Sequence, residues 1–315
     1  MNEFMNELPL VSVVLGTYNG EAYLEEQLNS VLAQTYSPLE IIAIDDGSTD
    51  GTFRLLQGYA ARDSRIKVVV NQRNLGFIRN FEKGCSLATG HWIALCDQDD
   101  YWMPDKIEKM VGAIGSYPMV YCDSILCDQH LQPLGNKISD LVHYQSFDDP
   151  RQLCVFSRMY GHATLITHDL FDKASPFRDE VPHDGWLAYH ATLYGGVRYL
   201  PEVLVKYRQH AGNVFGVVGR KKKKADADAR AEKTRKELAR IRVRMQAYCD
   251  ACPDTLVPQK KLLRALVRSY RNFSPLNDLR RVVLFFANYR LLLVVKNYST
   301  GRKWLFCLKM LVKIK

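Results

Sequence analysis

Over the first hundred residues, short apolar runs alternate with segments of helical periodicity, which restricts this part of the chain to βαβ units on a parallel sheet. Leu10, Val11, Val13, Val14 and Leu15 read as a buried strand; Leu24, Leu28, Val31 and Leu32 then recur at helical spacing within 21–34. The pair repeats as strand 39–44 with helix 50–60, then strand 66–70 with helix 78–87, and a strand at 91–95 follows. Ligands of such sheets bind at the carboxyl ends of the strands. The segments placed there are Gly16-Thr17-Tyr18-Asn19, Asp45-Asp46-Gly47-Ser48, 71–76 and Asp97-Gln98-Asp99-Asp100. All are polar and turn-forming, so one shared crevice is expected. Beyond residue 109 the pattern is mixed, with strands expected near Val120, near Thr164 and over 197–207, and a helix over 184–193.

The most telling of these segments puts three carboxylates in four residues directly after the apolar run Trp92-Ile93-Ala94-Leu95. Like charges so close repel and raise one another's pKa. Hard divalent ions are commonly held by one or two carboxylates plus substrate phosphates. An Asp-x-Asp at a strand end therefore suggests a metal–diphosphate site; the alternative is a solvated acidic turn ahead of a helix starting near Pro104 and Asp105.

Short acids after the second strand can accept hydrogen bonds from a base or ribose. Ser48 and Asp50 suit capping of the next helix, which leaves Asp46 for a nucleotide contact. Thr17, Tyr18 and Asn19 precede a helix start whose backbone amides could face phosphate, unless Asn19-Gly20 is only a turn. Arg79 falls in the first turn of a helix, where the dipole disfavours a cation. It makes sense beside a bound diphosphate, or in a surface salt bridge.

Taken together, Val11-Ser12-Val13-Val14 with Thr17-Tyr18-Asn19, Asp45-Asp46-Gly47-Ser48-Thr49-Asp50, Asn74-Leu75-Gly76 and Asp97-Gln98-Asp99-Asp100 resemble the signatures of family 2 glycosyltransferases, in order and spacing, over roughly 8–215. The resemblance implies an α/β fold of the GT-A nucleotide-diphospho-sugar transferase type, a Rossmann-like mixed sheet. It implies transfer of a sugar from a nucleoside-diphosphate donor to a hydroxyl, with inversion. By position Asp46 would contact the nucleobase and Asp97 the sugar or ribose while organising the metal; Asp99 would hold Mg²⁺ or Mn²⁺. His183-Asp184-Gly185-Trp186 resembles the acceptor-side acidic site, with Asp184 as catalytic base or, alternatively, as a helix N-cap. His183 would support it, and Trp186 would offer a face to a sugar ring or belong to the core. His210 is expected on the metal or phosphate, with Arg208 second. The Gln-x-x-Arg-Trp motif of processive synthases is absent, which favours addition of one sugar. The Cys96-Asp97-Gln98-Asp99-Asp100 form looks most like the bacterial rhamnosyltransferase-like branch, giving dTDP-rhamnose or a UDP-sugar as donor and a cell-surface polysaccharide precursor as acceptor.

Charge divides the chain. Residues 1–219 hold 27 Asp+Glu against 17 Lys+Arg, whereas 220–315 hold 7 against 26. A catalytic domain over 1–219 and a basic helical region over 220–315 are expected, with Arg220 to Lys224 at the junction. The tail mixes cations with Val282 to Phe286, Leu291 to Val295, and aromatics Tyr289, Tyr298, Trp304 and Phe306. That composition suits amphipathic helices on an anionic membrane surface, serving a glycan or lipid-linked acceptor. The alternatives are packing on the body or a homodimer contact; nucleic acid is not expected, because no recognisable binding module accompanies the charge. No stretch is apolar for the length of a bilayer span, and residues 1–7 lack a leader pattern, so a cytoplasmic protein peripheral to the inner face of the membrane is expected. The lone Cys249-x-x-Cys252 pair lacks a second pair at zinc spacing. A nicotinamide enzyme is excluded because no GxGxxG follows the first strand. A sugar-nucleotide pyrophosphorylase would need a basic Gly-rich loop there, and a non-catalytic membrane scaffold would leave Asp97, Asp99 and Asp184 without a purpose.

Overall fold

The computed structural model describes residues 8–157, 159–210, 227–272 and 274–311. The strands expected in the first hundred residues form β1 (Val11–Thr17), β2 (Leu39–Asp45), β3 (Ile66–Val70) and β4 (Trp92–Asp97); α1 (Glu21–Leu32), α2 (Thr52–Ala60) and α3 (Phe77–Ser86) connect them. These strands pair in parallel, with Thr17 opposite Asp45 and Gly16 opposite Asp97, so the ends of β1, β2 and β4 lie side by side. β1 and β2 are buried on both faces. Val14, Ile42, Ile44 and Leu95 enter one core, while Val13, Leu15, Ile41, Ala43 and Cys96 enter the other. Continuous apolar runs, rather than alternation with polar residues, are what two covered faces require.

The second half makes the sheet mixed. β5 (Tyr101–Trp102), α4 (Lys106–Ile114), β6 (Met119–Cys127), β7 (Pro133–Lys137) and α5 (Ile138–Leu141) follow, then β8 (Thr164–Thr167), α6 (His168–Ala174), α7 (His183–Leu193) and β9 (Val197–Arg208). Along the sheet the order is β3-β2-β1-β4-β8-β6-β9-β5, and β7 pairs with β6. β8 runs antiparallel between β4 and β6, whereas β9 runs parallel to β6 and antiparallel to β5. β9 thereby carries Arg208 and His210 back to the loop that follows β4.

The tail forms α8 (Ala227–Ala251), α9 (Val257–Ser269), α10 (Pro275–Leu292) and α11 (Thr300–Lys309). Their inner faces bury Ile241, Met245, Tyr248, Leu263 and Phe285 in the same cluster as Val14 and Trp186. Tyr189 of α7 donates its hydroxyl to the Tyr248 carbonyl at 2.7 Å. The expected junction at 219 and 220 lies outside the described residues. All eight cysteines are buried free thiols that pack as small hydrophobes.

Candidate active site

At the end of β1 the chain turns through Asn19, whose φ of 48° suits asparagine's tolerance of the left-handed region. Asn19 N–H donates to Ser48 Oγ at 2.9 Å, and its Oδ1 accepts from Thr49 N–H at 2.8 Å. Gln98 clasps the same turn: it accepts from Tyr18 N–H at 2.8 Å and donates to the Tyr18 carbonyl at 3.0 Å. The loops after β1, β2 and β4 are thus one hydrogen-bonded unit at the strand ends.

Behind this unit the acidic loop divides in two. Asp99 Oδ2 lies 2.8 Å from His210 Nε2, and the imidazole stacks against Tyr23 with ring centres 4.6 Å apart. Asp97 and Asp100 turn instead toward His162, in the 3-10 turn before β8. His162 Nδ1 is 3.2 Å from Asp100 Oδ2 and 3.7 Å from Asp97 Oδ2, while its Nε2 lies 3.0 Å from Ser124 Oγ. Asp100 and His162 are fully buried. Under them sits Lys106, also fully buried, donating to the His162 carbonyl at 2.6 Å with its ammonium 3.1 Å from the Trp102 ring centre.

The fields in this cluster push its acids apart. Burial acts to raise the Asp97 carboxyl, yet the nearby His162, with Lys106 beyond it, holds it below the ordinary range. Burial, then repulsion from Asp99 and Asp97, raises Asp100 well above that range. Burial also draws Lys106 down to about 8. Asp100 Oδ2 is buried and, among the described residues, meets no aligned hydrogen-bond donor. Asp97, Asp100 and His162 each present one ligand atom within 4.8 Å of the others. Two carboxylates and an imidazole suit Mg²⁺ or Mn²⁺, and a cation there would use the orphaned oxygen. The residues fit a divalent ion.

Asp184 stands at the start of α7. Its Oδ1 accepts from Gly185 N–H at 2.6 Å. Burial pushes its carboxyl up to about 7; the Gly185 amide opposes that and Asp97 adds to it. A carboxylate poised near neutrality within the field of Asp97 is a matched general base.

Residues 12–174 match the glycosyl transferase family 2 model. The chain belongs to this family. It is 32% identical over 232 residues to an uncharacterized glycosyltransferase of Haemophilus influenzae, covering 68% of this chain and 69% of that one. Over 106 residues it is 42% identical to a putative teichuronic acid biosynthesis glycosyltransferase of Bacillus subtilis, TuaG, covering 34% of this chain and 42% of the relative. Among solved structures, Staphylococcus aureus TarS 1-349 in complex with UDP-GlcNAc superposes with a TM-score of 0.59 at 16% identity, covering 96% of this chain and 81% of that one. The fold is the GT-A type that the motifs imply, with C-terminal helices added.

Within this family 2 glycosyltransferase several expected contacts are committed elsewhere. Thr17 is buried, its hydroxyl 3.1 Å from Asp45 Oδ1, so its side chain ties β1 to β2 and does not reach the crevice. Asp46 is buried and accepts from Asn71 Nδ2 at 2.8 Å, Leu75 N–H at 2.8 Å and Gly76 N–H at 2.9 Å. It shapes the loop ahead of α3, and any nucleobase contact shares a carboxylate already holding three donors. Arg79 takes the salt-bridge alternative, binding Glu82 at 2.6 Å and Asp179 at 2.8 Å. Ser48 bonds Asp45 rather than capping α2; Asp50 meets the Thr52 amide at 3.0 Å.

Arg208 is buried and spans the site's back wall. It donates from Nε to the Asp99 carbonyl at 2.7 Å and from Nη2 to Glu26 at 2.6 Å, and its backbone N–H reaches Asp100 Oδ1 at 3.0 Å. It braces the acidic loop. Trp186 is core: Nε1 donates to the Ala174 carbonyl at 2.7 Å, and the ring packs against Tyr189 and Tyr248. His183 is buried against Phe81, ring centres 4.4 Å apart, and neither nitrogen has a partner among the described residues. Burial draws it down to about 4, so it stays neutral beside Asp97. Gly161 is required here, because a β-carbon would sit 2.9 Å from His183 Nε2.

Sequence reasoning missed His162, the buried role of Asp100, and Lys106. His162 has no motif spacing to the acids; it arrives because β8 inserts antiparallel beside β4, a pairing that no local pattern encodes.

Proposed function

We propose that the chain moves one sugar, with inversion, from a nucleoside-diphosphate donor to a hydroxyl of a cell-surface polysaccharide precursor. The observation that carries this reading is the cluster of Asp97, Asp100 and His162 at the strand ends, facing a base-poised Asp184. A divalent ion would be held by Asp97, Asp100 and His162, with the Asp99–His210 pair beside them. When bound, it supplies positive charge against that developing on the departing diphosphate.

The chain's own groups do the rest. As the acceptor oxygen bonds to the anomeric carbon, its proton passes to the Asp184 carboxylate; the bond to the diphosphate oxygen breaks and the electron pair leaves with the diphosphate. Neutral His183 lines the path between Asp97 and α7 without competing for that proton. dTDP-rhamnose or a UDP-sugar is the donor this reading favours. Support comes from the acidic motif's form and from the names of TuaG and the TarS complex. Calorimetric titration with UDP and dTDP plus Mn²⁺, followed by a nucleotide-sugar panel with mass-spectrometric detection of transfer, tests it. Absence of any nucleotide binding would remove the reading.

The outer faces of the last helices support a peripheral membrane association. Leu276, Leu279 and Val283 lie exposed at helical spacing on α10, and Trp304, Leu305 and Leu308 are exposed on α11, with Arg280, Arg302 and Lys309 among them. None of the described helices is long and apolar enough to cross a membrane. Flotation with anionic liposomes should retain the chain, and removal of α10 and α11 should release it. A dimer that buries this face and leaves liposomes unbound would overturn the membrane role.

A further inference from the structure

A cavity of about 930 Å³ lies between the catalytic body and the C-terminal helices, and Asp184 and Gly185 form part of its wall. That volume falls in the range that accommodates a drug-sized ligand. Apolar side chains line it from both sides, Leu153, Val155 and Met159 from the body and Ile241, Met245 and Tyr270 from the helices, with polar groups such as Ser157 and Asn297 between them. Tyr248 of α8 reaches α7, its hydroxyl 3.7 Å from where a β-carbon on Gly185 would stand. The helices therefore complete a chamber that begins at the proposed base.

Two cations, Arg244 and Lys296, share this apolar lining. Arg244 sends Nη2 toward the Val155 carbonyl at 3.4 Å, while its Nε is buried and has no hydrogen-bond partner among the described residues. Lys296 holds its ammonium 4.3 Å from the Phe156 ring centre. Farther along, Phe306 of α11 and the half-exposed Tyr298 line the cavity, while Trp304, Leu305 and Leu308 of the same helix are exposed. A buried guanidinium nitrogen lacking an acceptor calls for an anion.

We infer that this cavity is the acceptor subsite and that its occupant is a sugar carried on a phosphate-linked hydrocarbon chain. The chain packs along the aliphatic and aromatic walls, the phosphate meets Arg244 and Lys296, and the sugar hydroxyl is presented to Asp184. This assignment rests on the reading of Asp184 as base and adds the substrate class.

Farnesyl phosphate, farnesol and inorganic phosphate, titrated separately into the full chain, test the assignment. Farnesyl phosphate should bind at least about tenfold more tightly than either fragment, the loss expected when a charged hydrogen bond or the apolar contact is missing. It should not displace UDP bound with Mn²⁺. Arg244→Met should weaken farnesyl phosphate about tenfold and leave farnesol unchanged, while Met245→Trp should block both by filling the chamber. Retained UDP binding in each variant shows that the protein is folded. No binding of farnesyl phosphate, or binding that both variants leave intact because the outer helix faces capture the probe, would overturn the assignment. Prenyl binding without any UDP or dTDP binding would leave a lipid-phosphate site but remove its role as acceptor subsite. Nucleotide binding without prenyl binding would remove the subsite alone.

Discussion

Replacing Asp184 with asparagine gives the sharpest test of the proposed chemistry, because burial has moved this carboxyl from an ordinary 3.8 up to about 7. With that value roughly half the base is ionised at pH 7, about one-tenth at pH 6 and about one-hundredth at pH 5. The wild-type kcat/KM for transfer should therefore fall about tenfold per unit below pH 6.5 and level off above pH 8. A carboxylate at its ordinary value would give a flat profile over the same span. A cation beside Asp97 removes the smaller contribution to the rise and leaves burial, the larger one, in place. Asp184→Asn should lose about 10² to 10⁴ in kcat with the acidic limb abolished, while UDP titration stays unchanged. Stability gives an independent reading. The folded state keeps this proton to higher pH than the unfolded chain, so the group's contribution to stability is present at low pH and is lost as pH rises from 3.8 to about 7. Asp184→Asn, which has no charge to bury, should accordingly melt above wild type at pH 8 and close to it at pH 4. Transfer that is pH-independent between 5.5 and 7.5, or an Asp184→Asn enzyme within tenfold of wild type, refutes the assignment of the base.

His162→Ala should weaken Mn²⁺ binding by about tenfold or more, read by titration in the absence of nucleotide, because the imidazole is one of three converging ligands. Unaltered Mn²⁺ affinity would remove it from the set. Arg208→Lys cannot reproduce the fork that reaches the Asp99 carbonyl and Glu26, and should destabilise the fold by roughly 2 to 3 kcal/mol in denaturant titrations. Trp186→Phe loses one buried hydrogen bond, about 1 kcal/mol, and should leave KM for the acceptor unchanged; a raised KM would return the indole to the sugar site.

The parallel half of the fold was legible because covered strands need continuous apolar runs and their loops need turn formers, and both signals are local. Strands β1 to β4 and the crevice at their ends follow from that. The antiparallel insertion of β8 between β4 and β6 depends on pairings between segments more than forty residues apart, and it brings His162 to the acids. For the same reason side-chain destinations stayed open in the sequence where two partners competed. Arg79 has a helix N-terminus on its own segment but finds Asp179 from a distant loop, and Arg208 finds Glu26 of α1. Trp186 follows an acidic motif, yet helical periodicity turns it toward α8, whose packing on α7 no motif signals. Residue type identified the chemistry; tertiary pairing decided which copy performs it.

Several cations near the strand ends are already engaged among the described residues, and that bears on how charge is balanced at the site. Arg79 is paired with Glu82 and Asp179, and Lys83 donates to Asn71 at 2.7 Å. Lys106 lies fully buried under Trp102, and Arg208 braces the back wall. Asp97 and Asp99 then face any incoming diphosphate with repulsion, which an exposed salt bridge lent by Arg79 would hardly offset. On the proposed reading, that attraction comes from a divalent ion held on Asp97, Asp100 and His162. Donor binding should therefore collapse by more than about a hundredfold on chelation, rather than soften by the few-fold expected if arginines carried the load, and added Mn²⁺ should restore it. UDP and dTDP affinities that survive exhaustive chelation would show that residues other than these acids neutralise the diphosphate.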